Sequence, residues 1–337
     1  MTEPDPHSLQ LTLTSETEVV MTRTFDAPRA LVFEALTRCE RLRRWCGTRG
    51  ARLEACEADA RPGGSFRIVR RAPDGGLHPF TGRYREVDPP SRLGYSFGYA
   101  VDGRRDRVLN VTVTLREHVL RDGGPVTVLT STTAFADRVE RDAYLTAGLE
   151  RDAAEGYDRL SELLVLETTP AAEDELVVAR LLDAPPDVVF AAWTELERLA
   201  RWWGPAGFEL VDHRLDLRPG GTYRYGMRPA GGRVMWGKLA YREIQPPERL
   251  VYLSAFTDQA GATVPNPSAR AWPLEVLNTL TFFDGHGRTM LVLRGRPEGA
   301  SASERAAFAA AKASVSRAFE ATFDQLQAYL VEVAADR

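Results

Sequence analysis

From Glu18 the chain reads EVVMTRTF, a run rich in β-branched residues that ends at Asp26-Ala27-Pro28. A run of this kind stopped by turn residues predicts a strand. Asp26 then reads as the N-cap of a following helix, with Pro28 near its first turn. Apolar positions recur at Leu31, Val32, Ala35, Leu36, Leu42 and Trp45, the spacing of two short helices that stop at Gly47. Beyond that point the period changes to two. Residues 52–60 alternate, a Pro-Gly-Gly turn opens a strand over 65–71, and PDGG at 73–76 marks a hairpin. Residues 80–87 form a strand stopped by Pro89-Pro90, which cannot donate to a ladder. Strands over 92–99, 109–117 and 126–135 follow, the last two separated by RDGG. The helical period then returns at Leu149, Ala153, Tyr157, Leu160 and Leu164 as one long amphipathic helix.

The same pattern is written again 157 residues later. RPGGSFR (61–67) lies over RPGGTYR (218–224), and FDAPRALVFEALTRCERLRRWCG from Phe25 lies over LDAPPDVVFAAWTELERLARWWG from Leu182. YREVDPPSRLGY from Tyr84 lies over YREIQPPERLVY from Tyr241, Asp183 and Pro185 repeat the capping pattern, and Gly204 repeats the stop. The second long-helix stripe is Phe308, Ala311, Val315, Phe319, Phe323, Leu326 and Leu330. A solenoid repeats every 20 to 50 residues; a period of about 150 is a whole domain. The expected organisation is one domain over 1–167, a linker over 168–173 within the polar, Pro-bearing ETTPAAED, and a second domain over 174–337. Each is α+β: a curved antiparallel sheet of about seven strands, two short helices and a long C-terminal helix. One helix cannot cover the whole apolar face of such a sheet. The remaining space is plugged by aromatic side chains or left as a pocket.

Composition narrows the partners. Apolar residues are 44% and charged residues 27%, as in ordinary globular chains, and the net charge of −4 speaks against nucleic acid and anionic membrane surfaces. No apolar run approaches the roughly 20 residues that span a bilayer. The opening MTEPDPHSLQ is too polar for a secretory signal. Cys39, Cys46 and Cys56 lack zinc spacing, and an odd number of thiols without a signal predicts a reducing, cytoplasmic location.

The ordered pattern DAP…VF.A.T…L..W.G, RPGG.(F/Y)R and Y.E(V/I).PP.RL.Y, closed by a helix ending DRLSELL or DQLQAYL, resembles the START-like (SRPBCC) superfamily. More narrowly it resembles the subfamily named after the C-terminal domain of the heat-shock protein 90 ATPase activator (AHSA-type), twice over nearly the whole chain. The resemblance implies tandem helix-grip domains. It leaves function open, since members include co-chaperone domains, lipid and hormone carriers, aromatic polyketide cyclases and antibiotic-cluster proteins, enediyne self-resistance proteins among them. The repeated RPGG is a turn rather than a phosphate loop, because no helix follows it and no GK[ST] is present.

Little catalytic apparatus is visible. His7, His78, His118, His213 and His286 form no metal-binding spacing, and neither a nucleophile elbow nor a dinucleotide fingerprint occurs. The expectation is no metal, no cofactor and no catalytic residue. His213 alternates with Val211, Leu215 and Leu217, so it is either a core residue or a polar handle in a ligand cavity. Aromatic residues on the strands suit a flat hydrophobic ligand or simply fill the core. They are Phe66, Tyr84, Tyr95, Phe97 and Tyr99 in copy one, and Tyr223, Tyr225, Trp236, Tyr241, Tyr252 and Phe256 in copy two. Trp45 and Trp202 read as core anchors or ligand contacts, and Trp202-Trp203 over Trp45-Cys46 makes copy two the more aromatic.

Copy one has GYAVDGRRDR where copy two has FTDQAGATVPNPSARAWPLEV. Matching Asn110 to Asn278 gives an offset of 168, hence 11 extra residues, with Trp272 at the end of a lid or a docking loop. The expected function is non-enzymatic binding of a hydrophobic, polyketide-like small molecule, with antibiotic self-resistance as the form that the resemblance implies. The alternatives are a cyclase or aromatase, with His213, Arg67 and Arg224 polarising carbonyls, and a co-chaperone-like module with a protein partner.

Overall fold

Both alternating stretches fold as antiparallel sheets. In the computed structural model residues 7–101, 104–119, 123–205 and 207–335 are described, without the side chains of 99–101, 104–107 and 149. The N-terminal MTEPDP, Arg121-Asp122 of the RDGG turn and the side chains of Tyr99 and Leu149 therefore lie outside the described residues. The chain divides into two compact units, 1–168 and 169–337.

The first unit runs β1 (Gln10–Ser15), β2 (Glu18–Phe25), α1 (Arg29–Thr37), α2 (Cys39–Trp45), β3 (Arg52–Ala58), β4 (Ser65–Arg71), β5 (Leu77–Asp88), β6 (Arg92–Val101), β7 (Arg104–Val119), β8 (Pro125–Ala134), α3 (Arg138–Thr146) and α4 (Leu149–Thr168). Its sheet order is β1-β2-β8-β7-β6-β5-β4-β3. The second runs β9 (Leu176–Leu182), α5 (Pro186–Thr194), α6 (Leu196–Trp202), β10 (Phe208–Leu215), β11 (Thr222–Pro229), β12 (Met235–Gln245), β13 (Arg249–Thr257), β14 (Glu275–Asp284), β15 (Thr289–Glu298) and α7 (Ala302–Ala335). Its order is β10-β11-β12-β13-β14-β15-β9. In the first unit β2 pairs with the last strand, β8, and in the second β9 pairs with the last strand, β15; the long helix lies over the inner face.

Four local expectations change. Strand β1 pairs with β2 from Gln10 onward, although its sequence is too polar on one face to announce a strand. The first unit has an extra helix, α3, because Gly148 takes φ +74° and breaks the path before α4. Asp26 and Asp183 do not cap α1 and α5; Pro28 and Pro185 occupy the cap positions. Asp183 instead accepts from Gln327 Nε2 at 2.9 Å and pairs with Arg288 at 2.6 Å. Finally, Cys39 and Cys56 are joined as a disulfide between α2 and β3, with Cys46 free. The count of three thiols behind the reducing-compartment reading therefore does not hold. At the start of the second unit Arg294 donates to the Pro170 carbonyl and pairs with Glu175, and Arg305 pairs with Asp174.

The same fastenings hold each long helix. Arg23 on β2 is 1% exposed and pairs with Asp158 on α4 at 2.8 Å; Arg180 on β9 is 4% exposed and pairs with Asp324 on α7. Arg159 donates to the Gly47 carbonyl at 2.8 Å, and Gln325 donates to the Gly204 carbonyl. The Trp45 indole N–H donates to the Ala35 carbonyl at 2.9 Å, and that of Trp202 to Ala192 at 3.0 Å.

The RPGG turn has a comparable duty. Gly63 and Gly220 sit at φ +81° and +83°, where a side chain is strained. Their N–H groups donate to the Tyr84 and Tyr241 carbonyls, each at 2.8 Å, hooking the turn onto the next strand. A Cβ on Gly221 would lie 2.2 Å from the Asp216 carbonyl oxygen, and one on Gly64 2.0 Å from that of Asp59. Gly221→Ala is expected to destabilise the second unit by about 2 kcal/mol. Chemical denaturation checks this; an unchanged midpoint would show that the turn relaxes freely.

Candidate functional site: a cavity under the long helix of the second unit

The second unit contains a cavity of about 340 Å³ between the inner faces of β11–β14 and α7. Residue-by-residue comparison with the first unit shows where its space comes from. In the first unit Phe80 on β5 and Phe97 on β6 have ring centres 6.2 Å apart, and the Arg70 guanidinium lies 5.5 Å from the centre of the Phe80 ring. Arg70 also pairs with Asp152 of α4 at 3.2 Å, closing that end of the gap. Strand register and the shared helix fastenings place Gly237, Ser254, Met227 and Ala318 at these four positions in the second unit. Two phenyl rings and an ion pair are thus replaced by a glycine, a serine, a thioether and a methyl group. Leu239 where the first unit has Gly82 returns only part of the lost volume.

The walls are aromatic. Trp203 packs edge-on against Trp193, Trp202 and Tyr225, with centroids 5.4, 5.6 and 5.9 Å away. Trp193, Trp203, Tyr223 and Tyr225 stand where the first unit has Leu36, Cys46, Phe66 and Ile68. Copy two has therefore gained rings that carry polar atoms. Several buried polar atoms of this unit make no hydrogen bond: the indole N–H of Trp193, the hydroxyls of Tyr223 and Tyr241, and Nδ1 of His213. Burial pushes the Tyr225 hydroxyl up to about 12, partly offset by the approach of the Trp203 indole N–H. Tyr252 is pushed higher still by burial, with the neighbouring Tyr225 and Tyr241 adding to it. Both phenols are neutral donors at physiological pH.

The long loop ends at the cavity. Trp272, Pro273 and Leu274 line it, and the Trp272 ring lies 5.1 Å from Phe308 of α7.

Of the residues expected from sequence, Trp203, Tyr225, Trp236, Tyr252, Phe256 and Trp272 line the cavity. Trp202 and Tyr223 belong to the closed core beside it. His213 is half-buried on β10 and does not line the cavity. Arg67 is exposed, and Arg224 donates to the Gln259 carbonyl at 2.9 Å in a second, polar hollow that shares Trp236 with the cavity. In the first unit Phe66, Tyr84, Tyr95 and Phe97 pack ring against ring, and Trp45 stacks on Tyr157 with centroids 6.3 Å apart. Among the described residues no group of three or more His, Cys, Asp or Glu is placed to hold a metal. No described helix is long and apolar enough to cross a membrane.

Two polar residues were not anticipated. Asn278 on β14, 3% exposed, donates through Nδ2 to Ser254 Oγ and to the Val276 carbonyl, each at 2.9 Å. Their signal was a lone Asn in the inward column Val276, Asn278, Leu280, Phe282. The matched VLN triplets concealed it. Strand pairing sets Tyr95 opposite Val111 and Tyr252 opposite Asn278, so the offset is 167, the insertion is 10 residues, and Asn278 replaces Val111 rather than Asn110.

The sequence profile described as Activator of Hsp90 ATPase homolog 1-like protein matches residues 26–164 and again 183–331. The chain belongs to this family. Within it, this chain is a tandem AHSA1-like protein. Solved structures resemble it: a protein of Rhodobacter sphaeroides is 27% identical over 47% of this chain and 98% of its own, with a TM-score of 0.41. A protein of Nitrosomonas europaea is 25% identical over 46% of this chain and 98% of its own, with a TM-score of 0.40. The di-domain ARO/CYC BexL from the BE-7585A biosynthetic pathway is 18% identical over 93% of this chain and 98% of its own, with a TM-score of 0.37. No curated protein matches the chain.

Exchanging residues between the units tests this origin of the cavity. Phe97→Ser is expected to cost the first unit about 3 kcal/mol, by removing a packed ring. Ser254→Phe is expected to cost the second unit clearly less, because the ring enters existing space and only the bond from Asn278 Nδ2 is lost. Equal destabilisation by both, measured by calorimetry, would contradict it.

Proposed function

We propose that the second unit binds an apolar, ring-bearing small molecule of polyketide-like character in this cavity and holds it without transforming it. The observation that carries this reading is the exchange of Phe80, Phe97 and the Arg70–Asp152 pair for Gly237, Ser254, Met227 and Ala318 at matched positions. Leaving a hydrophobic gap unfilled sacrifices packing energy, so the gap is intelligible as ligand space. Its volume falls within the roughly 300–1,000 Å³ of small-molecule sites. Sequestration of such a molecule is the biochemical form that self-resistance to an aromatic antibiotic would take.

The placement of charged groups favours binding over cyclisation. The residues considered for polarising a carbonyl, His213, Arg67 and Arg224, are not among those that line the cavity. The name ARO/CYC belongs to BexL and not to this chain. Titration with pyrene, read as energy transfer from tryptophan, is expected to saturate at one equivalent with a Kd on the order of micromolar. Ser254→Phe is expected to weaken it about tenfold or more, while Arg67→Ala leaves it unchanged. Absence of saturable binding, or indifference to Ser254→Phe, would remove the reading.

A further inference from the structure

The polarity of the cavity narrows its occupant. No Lys, Arg, His, Asp or Glu is among the described residues that line it. Its polar groups are neutral: Ser254, Asn278, Thr322, the phenols of Tyr225 and Tyr252, and indole N–H groups. A carboxylate entering this space would give up its hydration without meeting a cation, a large penalty in an apolar surround.

Asn278 sets the remaining requirement. Both Nδ2 protons are spent, one on the Val276 carbonyl and one on Ser254 Oγ. The bond to a backbone carbonyl, which only accepts, fixes the amide so that Oδ1 faces the other way. Oδ1 lies 3.2 Å from where a Cβ of Gly295 would be, beside Val276 and Leu176, both of which line the cavity. It accepts no hydrogen bond from the described residues. A bound hydroxyl would therefore add a hydrogen bond to this oxygen that the protein does not itself make. The first unit has Val111 and Phe97 where the second has Asn278 and Ser254, so this acceptor accompanies the open cavity.

We infer that the cavity selects an uncharged aromatic ligand bearing a hydroxyl, which donates to Asn278 Oδ1, and excludes the corresponding carboxylate. This rests on the binding reading above and adds the chemical class. Among ring compounds of equal size it separates phenols from aromatic acids, and it makes the protein blind to fatty-acid anions.

The test uses the full chain at pH 7 and three probes with one ring system: pyrene, 1-hydroxypyrene and pyrene-1-carboxylate, each followed by energy transfer from tryptophan. The expected order is 1-hydroxypyrene about three- to tenfold tighter than pyrene, with the carboxylate about 100-fold or more weaker than the phenol. Asn278→Leu is expected to abolish the preference, so that the variant binds 1-hydroxypyrene no more tightly than it binds pyrene. Carboxylate binding comparable to that of the phenol would overturn the inference and leave the binding reading standing. So would an Asn278→Leu chain that keeps the phenol preference. Failure of all three probes to bind would take down the binding reading and the inference with it. The wild-type comparison of phenol with carboxylate decides the charge argument even if the variant does not fold.

Discussion

Each unit fastens its long helix through a buried guanidinium. A guanidinium at 1% or 4% exposure on β2 or β9 is tolerable only with a partner, and that partner is a carboxylate on the long helix: Asp158 for Arg23, Asp324 for Arg180. The strand carrying the arginine pairs with the last strand of the unit, so the contact ties the long helix to both strands. The two carboxylates are not equally valuable. Asp158 is mostly buried, whereas more than half of the Asp324 side chain meets solvent, which screens that pair more strongly. The second fastening, from Arg159 or Gln325 to a glycine carbonyl after the second short helix, fixes the helix along its axis. With both in place the width of the gap beneath the helix is set before any side chain inside it is chosen.

What fills that gap is then free to diverge. The first unit fills it with Phe80 and Phe97 and closes its end with Arg70 and Asp152. The second removes those groups and lines the space with neutral rings. The residues facing the gap differ, while the arginine–aspartate fastening, the RPGG hook and the indole-to-carbonyl bonds are retained. Such a division is what a duplicated fold permits: one copy keeps packing density and the other gives some up for an occupant.

The same division explains how far the sequence could be read. Fastenings and turns use residues whose local chemistry announces them, so the repeat, the strand order and the long helices were legible from glycines, prolines and period. The cavity was legible only in part, since a ring on an inward strand position looks the same whether it walls a space or fills it. Trp203 and Tyr225 face the cavity while Trp202 and Tyr223, one or two residues away, are closed core. Alternation placed His213 on the inner side correctly, but β10 is the edge strand and the cavity lies further in. Asn278 was hidden by a chance match of three letters that shifted its strand by one residue, and a one-residue slip exchanges the two faces of a strand. The disulfide between Cys39 and Cys56 depends on the approach of α2 to β3, which spacing alone does not give.

The remaining difference between the units lies in the helix itself. On α7 the cavity is roofed by Val315, Ala318, Phe319 and Thr322, which fall on one face by helical spacing, and the preceding turns carry Phe308 to the Trp272 end. In the first unit the corresponding helix begins only at Leu149, the counterpart of Val315. The left-handed Gly148 turns the chain away there, and the preceding helix packs its Tyr144 against Phe135 at 5.1 Å instead. Phe308 therefore has no equivalent above the first sheet. A continuous helix in the second unit and a broken one in the first follow from Ser314 standing where the first has Gly148. The extra loop residues ending in Trp272 are useful only where the helix is long enough to meet them. Loop insertion, unbroken helix and emptied strand positions thus form one linked change, since each supplies a different wall of the same cavity.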